Sequence, residues 1–479
     1  MLLVSAFLLP ILAGTAVSFV RMEEKGRKTA YAVLLVLTDL LALFAMLRGG
    51  AVTLLSFSER VTLTFAYDTL GRYFLAAVLL LYSAVTFYAF EYMDHEERPN
   101  VFFAFHFISF GMMIALSMAG NLVTMYLCFE MVTLSTVPLV LHELSKEAVA
   151  AGMKYMFYSI GGALLGLFAV FFVYHFTSGD GSFVRGGFID PALLAGQERF
   201  FLFAVFLGIV GFGTKAGLYP MHGWLPTAHP IAPAPASALL SGIVAKAGVL
   251  AIIRLAYFSV GEELLRGTWV QYAWMILAMV TIFMGSMMAF REKILKKRLA
   301  FSTVSQISYI LLGLSFLSDE GLRGGLLHMM SHVAAKGCLF LVAGIFIVKL
   351  GVRDVRELRG VGRRMPLTLA CFTLASLSLV GIPPMGGFLS KWVLASAAID
   401  SGLVPYMFLA PAVLLVSALL TAGYLLPIMV DGFFPGKDAE VSAEKAEPSL
   451  LMTVPLMVLC AVSLVMGLFG TGILASLGF

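Results

Sequence analysis

Two stretches, GLYPMHGWL at residues 217–225 and GIPPMGGFL at residues 381–389, decide how the rest of the chain is read. Gly, Pro, Met, Gly and Leu match in place, Trp224 stands opposite Phe388, and Leu218 stands opposite Ile382. Each stretch interrupts an apolar, helix-length run. Proline and glycine at such a place stop the helix and free backbone carbonyls, which at membrane depth only protein or water can satisfy. Breaks at corresponding positions of two halves point to the ion path of a transporter built from repeats. The competing reading is chance similarity of two Pro/Gly turns. It is disfavoured because both turns sit at equivalent places in two five-helix blocks.

Working outward, the chain has 479 residues, 60% of them hydrophobic and 13% charged, with a mean hydropathy of +0.95. That balance excludes a soluble domain and gives an all-α membrane protein. Apolar windows of about 20 residues place some fourteen transmembrane helices. They fall near 1–20, 29–48, 70–90, 101–119, 121–142, 151–176, 200–218, 236–258, 267–290, 298–316, 322–349, 365–398, 407–430 and 449–470. Helices 7 and 12 carry the breaks and are expected to be discontinuous. The run from Leu2 to Val20 lacks a basic start and a small-residue cleavage site, so it reads as a retained helix. Between helices 2 and 3, VTLLSFSERVTLTFAYD alternates apolar and polar residues and reads as a short β-hairpin on the periplasmic face. The expected divisions are 1–100 (helices 1–3 and the hairpin), 101–258 (helices 4–8), 259–432 (helices 9–13) and 433–479 (a cytoplasmic loop and helix 14).

Loop charges give an orientation. Of 32 Lys and Arg, 19 lie in one set of alternate loops, including Arg21, Arg291, Arg363 and Lys437. Only seven lie in the opposite set: Arg48, Arg60, Arg72, Arg185, Arg199, Arg266 and Arg323. The positive-inside rule then puts both termini on the outer face of the cell membrane. The four cysteines (Cys128, Cys338, Cys371, Cys460) form no CxxC and no Cys/His pair, so neither disulfides, iron–sulfur clusters nor zinc are expected. No Rossmann fingerprint or P-loop stands out, and nucleic-acid binding has no support.

Six basic residues remain inside the spans: Lys154, Lys215, Lys246, Arg254, Lys336 and Lys391. Each mid-helix charge costs roughly 2.5–3.5 kcal/mol on insertion scales, so each is a functional candidate by default. A buried lysine whose distance from a carboxylate changes can take up and release a proton. Glu130, ending MYLCFE, is the clearest buried acid, and Lys215 lies just before the first break. Lys246 sits mid-helix in SGIVAKAGVL. His328, His332 and Lys336 are spaced i, i+4, i+8, which makes one helical stripe spread over roughly 12 Å. Lys391 follows the second break. A lone buried histidine is usually a satisfied core residue, but two in line with a lysine read as a proton relay. Lys154, His222, His229 and Asp39 are accessory candidates, balanced between structure and function. Asp68 and Glu91, near interfaces, read as structural.

The whole set resembles the antiporter-like, proton-translocating subunits shared by respiratory complex I, Mrp sodium/proton antiporters and membrane-bound hydrogenases. The resemblance rests on Glu130, Lys215, PAPASALLSGIVAKAGVLAIIRL with Lys246, KKRLAFSTVSQISYI (296–310), HMMSHVAAKGCLF (328–340) and GIPPMGGFLSKW with Lys391. It spans essentially the whole chain. It implies two inverted five-helix repeats, each with a half-channel, joined by a central hydrophilic axis. It also implies Glu130 and Lys215 as a switch pair, Lys246 as a bridge, the histidines and Lys336 as a relay, and Lys391 as the outlet. Length and the HGWLPTAHPIAPAP segment suit the D-type Mrp subunit or its hydrogenase counterpart. The implied function is proton or cation translocation within a multi-subunit complex, coupled to a redox module or to sodium/proton exchange. No cofactor and no redox chemistry are expected in this chain itself. Expected partners are other membrane subunits, H⁺ with Na⁺ as a second candidate ion, and the lipid bilayer. The alternative is a self-sufficient inverted-repeat transporter of a solute or cation, disfavoured because the titratable series crosses both halves without one central pocket.

Overall fold

The structure, a computed structural model, describes residues 1–20, 22–58, 61–179, 181–436 and 444–479. Arg21, Arg60 and Lys437, which count toward the loop charges above, lie outside the described residues. The fold is mostly helical. The helices are α1 (Leu2–Phe19), α2 (Glu24–Arg48), α3 (Thr69–Tyr92), α4 (Pro99–Ser117), α5 (Leu122–Val140), α6 (Lys146–His175), α7 (Glu198–Ala216) and α8 (Leu225–Ile231). They continue with α9 (Ala234–Val260), α10 (Trp269–Arg291), α11 (Leu295–Ser315), α12 (Asp319–Leu350), α13 (Pro366–Val380), α14 (Gly386–Asp400), α15 (Tyr406–Phe433) and α16 (Leu450–Ser476). Among the described residues, twelve helices are long and apolar enough to cross a membrane; α11 and the α13/α14 pair are not in that set. Charge at the start of α11 (Lys296, Lys297, Arg298) and the shortness of α13 and α14 account for the difference.

Two strands, β1 (Ala51–Ser56) and β2 (Thr62–Ala66), form an antiparallel hairpin pairing Ala51 with Ala66 and Ser56 with Thr62. The alternation of threonine with apolar residues in this stretch suits a two-faced strand. Thr53 and Thr64 share a hydroxyl hydrogen bond of 3.0 Å across the pair.

The chain divides into two compact units. One comprises residues 1–82, 98–224 and 244–274, the other 83–97, 225–243 and 275–479. Each unit contains one of the two quoted motifs' helix breaks, and both turns close in the same way. α7 stops at Ala216, where Gly217 adopts φ +82°, and α13 stops at Val380, where Gly381 adopts φ +92°. Only glycine enters that region without strain, which explains its presence at both helix ends. Leu218 N–H then donates to Gly213 O (2.8 Å), and Ile382 N–H donates to Leu377 O (3.0 Å). Met221 and Met385 follow with the same short-range bond, to Leu218 O and Ile382 O respectively.

α9 departs from regular α-helix at two places, with π-type turns at Leu240–Val244 and Arg254–Val260. Such turns interrupt the i→i−4 ladder and are frequent at functional sites. Arg254, opening the second, is only 2% exposed and forms a fork to the Asp68 carboxylate, with one bond of 2.7 Å from Nη2 to Oδ1. Burial alone would raise the Asp68 carboxyl, but the guanidinium's hydrogen bonds and charge outweigh it and hold the group below its ordinary value. Asp68→Asn is expected to cost about 2 kcal/mol, below the roughly 3–5 kcal/mol of a fully buried pair, because Asp68 stays 40% exposed. Since the folded-state pKa is depressed, this contribution is present above the ordinary pKa of 3.8 and is lost as the pH falls through the depressed value. Thermal melting of the solubilised protein measures it; an unchanged melting temperature in Asp68→Asn would show that the pair adds no stability.

Candidate proton-handling site

In the first unit the centre of interest is Lys215, one residue before the end of α7. It is 1% exposed. Its Nζ donates to Phe129 O (2.9 Å) and Thr133 Oγ1 (2.6 Å) on α5 and lies 4.0 Å from the centroid of the Phe129 ring. Two oxygen acceptors and a π face replace part of the water an ammonium loses on burial. Glu130 stands half-buried beside Phe129. No ion pair within 4 Å joins it to Lys215 among the described residues, although the two charges interact over a longer range. The lysine therefore rests on a backbone carbonyl and a hydroxyl in this state. Thr133, which the sequence reading missed, follows Glu130 by three residues and so shares its helix face.

Lys246 is fully buried on α9, two residues beyond the first π turn. The segment Ala245–Ile253 packs against α7, the helix that carries Lys215. The approach is close: a Cβ on Gly248 would come within 2.5 Å of Phe212 O and 2.8 Å of Ala216 N. Only glycine permits that backbone contact. Lys154 is half-buried on α6, and its stem passes close to Gly223, in the first break. His222 lies half-buried in the same turn, with its ring stacked 5.8 Å from Tyr219. Asp39 is half-buried on α2, a helix that packs mainly on α1, and it is not among the groups that hold Lys215.

In the second unit, α12 carries His328, His332 and Lys336, each at most 1% exposed. The sequence stripe is thus a buried stripe. Lys336 Nζ donates to Leu299 O on α11 (2.9 Å). His328 shares a 2.9 Å hydrogen bond through Nδ1 with Ser390 Oγ on α14, and its ring lies 6.1 Å from that of His332. Tyr309 on α11 stacks on His328 at 5.2 Å, with an interplanar angle of 14°. The same ring lies 5.0 Å from Lys391 Nζ, so Tyr309 stands between His328 and Lys391. Lys391 in turn donates to Leu379 O and, at 3.0 Å, to Val380 O. Those are carbonyls released at the end of α13, where the helix dipole is negative and suits an ammonium.

The two breaks use their freed carbonyls differently. In the first, Trp224 Nε1 donates to Thr214 O (2.9 Å). Phe388, the matching residue of the second, has no donor, and there Lys391 occupies the helix end. The two lysines also stand on opposite sides of their breaks, which is why the aligned motifs do not superimpose them.

His229 belongs to the second unit and is fully buried, with its ring stacked 4.8 Å from Phe340, one turn beyond Lys336. Lys296, read from sequence as a loop residue, is instead in the first turn of α11 and only 5% exposed. It donates to Pro230 O in the last turn of α8 and to Ala232 O just past it. A cavity of about 200 Å³ reaches it, lined among others by Ile294, Ala343, Ile347 and Arg353. Lys296 is legible in KKRLAFSTVSQISYI only as one of three consecutive basic residues; nothing in the spacing says which one turns inward.

Folding also gathers three of the scattered cysteines. Cys338 Sγ lies 3.7 Å from Cys460 Sγ, and both approach the Cys371 carbonyl. Among the described residues, no group of three or more His, Cys, Asp or Glu is arranged to hold a metal ion.

The chain is 30% identical over 423 residues to NADH-quinone oxidoreductase subunit N of Desulforudis audaxviator, covering 85% of this chain and 82% of that protein. It is 35% identical over 355 residues to hydrogenase-4 component B of Escherichia coli, covering 70% of this chain but 51% of that longer protein. The solved Mrp complex from Dietzia sp. DQ12-45-1b contains a chain of the same fold, with a TM-score of 0.83 at 23% identity, covering all of this chain and 96% of that one. Residues 119–421, which hold every group from Glu130 to Lys391, match the family described as NADH:quinone oxidoreductase/Mrp antiporter, TM, and the chain belongs to that family.

Proposed function

We propose that this chain is a proton-translocating, antiporter-like subunit of a multi-subunit membrane complex of the Mrp, complex I or hydrogenase type. Redox centres, where the complex has them, reside in partner subunits, and Na⁺ is the second candidate ion. The observation that carries this reading is the buried series on α12. His328, His332 and Lys336 are spaced one helical turn apart and docked to α11 and α14, with Tyr309 linking His328 to Lys391. Burial of this many titratable groups is costly unless the groups are used.

The path runs through Glu130, Lys215 and Lys246, then Lys336, His332 and His328, to Lys391. The cavity at Lys296 serves as the inlet from the side rich in basic loops. Counting α11 and the α13/α14 pair with the twelve apolar spans gives fourteen crossings. The two motifs mark two inverted halves at 101–258 and 259–432. With the loop charges, both termini and the hairpin face outward from the cell membrane. Length and the HGWLPTAHPIAPAP segment suit a D-type Mrp subunit or its hydrogenase counterpart.

Replacing both His328 and His332 by glutamine keeps size and hydrogen bonding but removes titration. Proton uptake by vesicles holding the assembled double variant is expected to fall at least about 100-fold, the contribution of a positioned proton-transfer group. Full uptake would make the stripe structural and remove α12 from the path.

A further inference from the structure

Gln306 lies in the middle of α11 and is completely buried, yet neither amide atom, Oε1 nor Nε2, has a hydrogen-bond partner among the described residues. Its neighbours on the same helix are satisfied. Ser302 accepts from Tyr424, Thr303 pairs with Ser241, and Ser305 with Ser286. Buried polar groups are almost always paired, by protein or by ordered water. An amide with both ends unmet by protein is therefore a place for water, which typically makes about three hydrogen bonds to such groups.

The register of α11 against α12 says where that water would sit. Gly313 lies against Gly321, Ile310 against Gly325, Tyr309 against His328, and Leu299 against Lys336, so the helices run antiparallel. Gln306 follows Leu299 by seven residues and precedes Tyr309 by three, which keeps all three on one face. It thus falls in the interval between the Lys336 and His328 contacts, level with residues 328–331, between the turns that carry His328 and His332. Successive members of the stripe are a helical turn apart, and the two imidazole centroids are 6.1 Å apart. That separation is too long for a proton to pass directly and suits one intervening water.

We propose that Gln306 is a water-binding residue that closes the gap in the α12 relay, holding water between His332 and its neighbours. It acts as a positioning residue: its amide orients the water and does not itself take up the proton. This rests on the relay reading above.

Two measurements on the assembled complex in vesicles separate the inference from that reading. In millisecond radiolytic labelling, hydroxyl radicals formed from bound water oxidise adjacent side chains, here Tyr309, His328 and His332, which are otherwise buried. Wild type is expected to be labelled there, Gln306→Leu to lose the label, and Gln306→Glu, which puts a carboxylate oxygen at each of the two amide positions, to retain it. Proton uptake in Gln306→Leu is expected to fall about tenfold, the rate equivalent of one lost hydrogen bond. No labelling in wild type, or labelling undiminished in Gln306→Leu, overturns the water site. Label lost with uptake unchanged leaves the water site standing and overturns the relay. If Gln306→Leu fails to assemble, Gln306→Met serves for both measurements.

Discussion

Lys246→Ala is expected to reduce proton uptake by roughly 100-fold or more while the complex still assembles. The lysine is fully buried in a helix whose apolar window is buried throughout, two residues beyond a π turn and against the helix of Lys215. Deleting its side chain removes a buried charge from a helix already rich in alanine and glycine, so the fold has little reason to fail. The proposed path, by contrast, loses its bridging base. Lys246→Arg should fail as well, because a guanidinium keeps its proton at any working pH. The check is proton uptake in vesicles, normalised to the amount of assembled complex. A wild-type rate in either variant would take Lys246 out of the path.

Glu130→Gln and Lys215→Ala are each expected to be severe, and the double variant no worse than the worse single. The structure sharpens the reason. Lys215 is held by Phe129 O and Thr133 Oγ1 in this state and is not in contact with Glu130. On the proposed path the carboxylate is the alternative partner, reached when the ammonium leaves α5's carbonyl and hydroxyl. Removing either charge strands the other at low dielectric, a cost of roughly 3–5 kcal/mol where the pair meets fully buried. A double-mutant cycle on transport measures the coupling. Effects that multiply would show that the two residues act independently.

The sequence showed most clearly the features that depend on local chemistry. Gly217 and Gly381 sit where only glycine can turn the chain, so both helix breaks could be located within the motifs 217–225 and 381–389. The i, i+4, i+8 stripe on α12 is likewise a property of one helix, and burial turned it into a set of interior groups without altering it. What could not be read was partnership across helices. Thr133, Tyr309 and Ser390 are ordinary residues for an apolar helix, and their roles arise only because α5 meets α7, and α11 and α14 meet α12. Lys296 was hidden for a different reason: a lysine in a run of three basic residues reads as surface charge, and the direction it takes depends on the carbonyls left open at the C-terminal end of α8. The cysteines illustrate the same limit, since residues 338, 371 and 460 are far apart in sequence and adjacent in space.

The unequal treatment of the two broken helix ends gives the halves different mechanical characters. At the first, the exposed carbonyl of Thr214 is capped by the indole of Trp224, a group whose hydrogen bond is the same at every pH. At the second, Leu379 and Val380 are capped by Lys391, whose hold on them depends on its proton. One turn is a fixed rivet and the other a catch that charge can fasten or release. Two turns of the same backbone design therefore differ in whether their shape carries information about protonation.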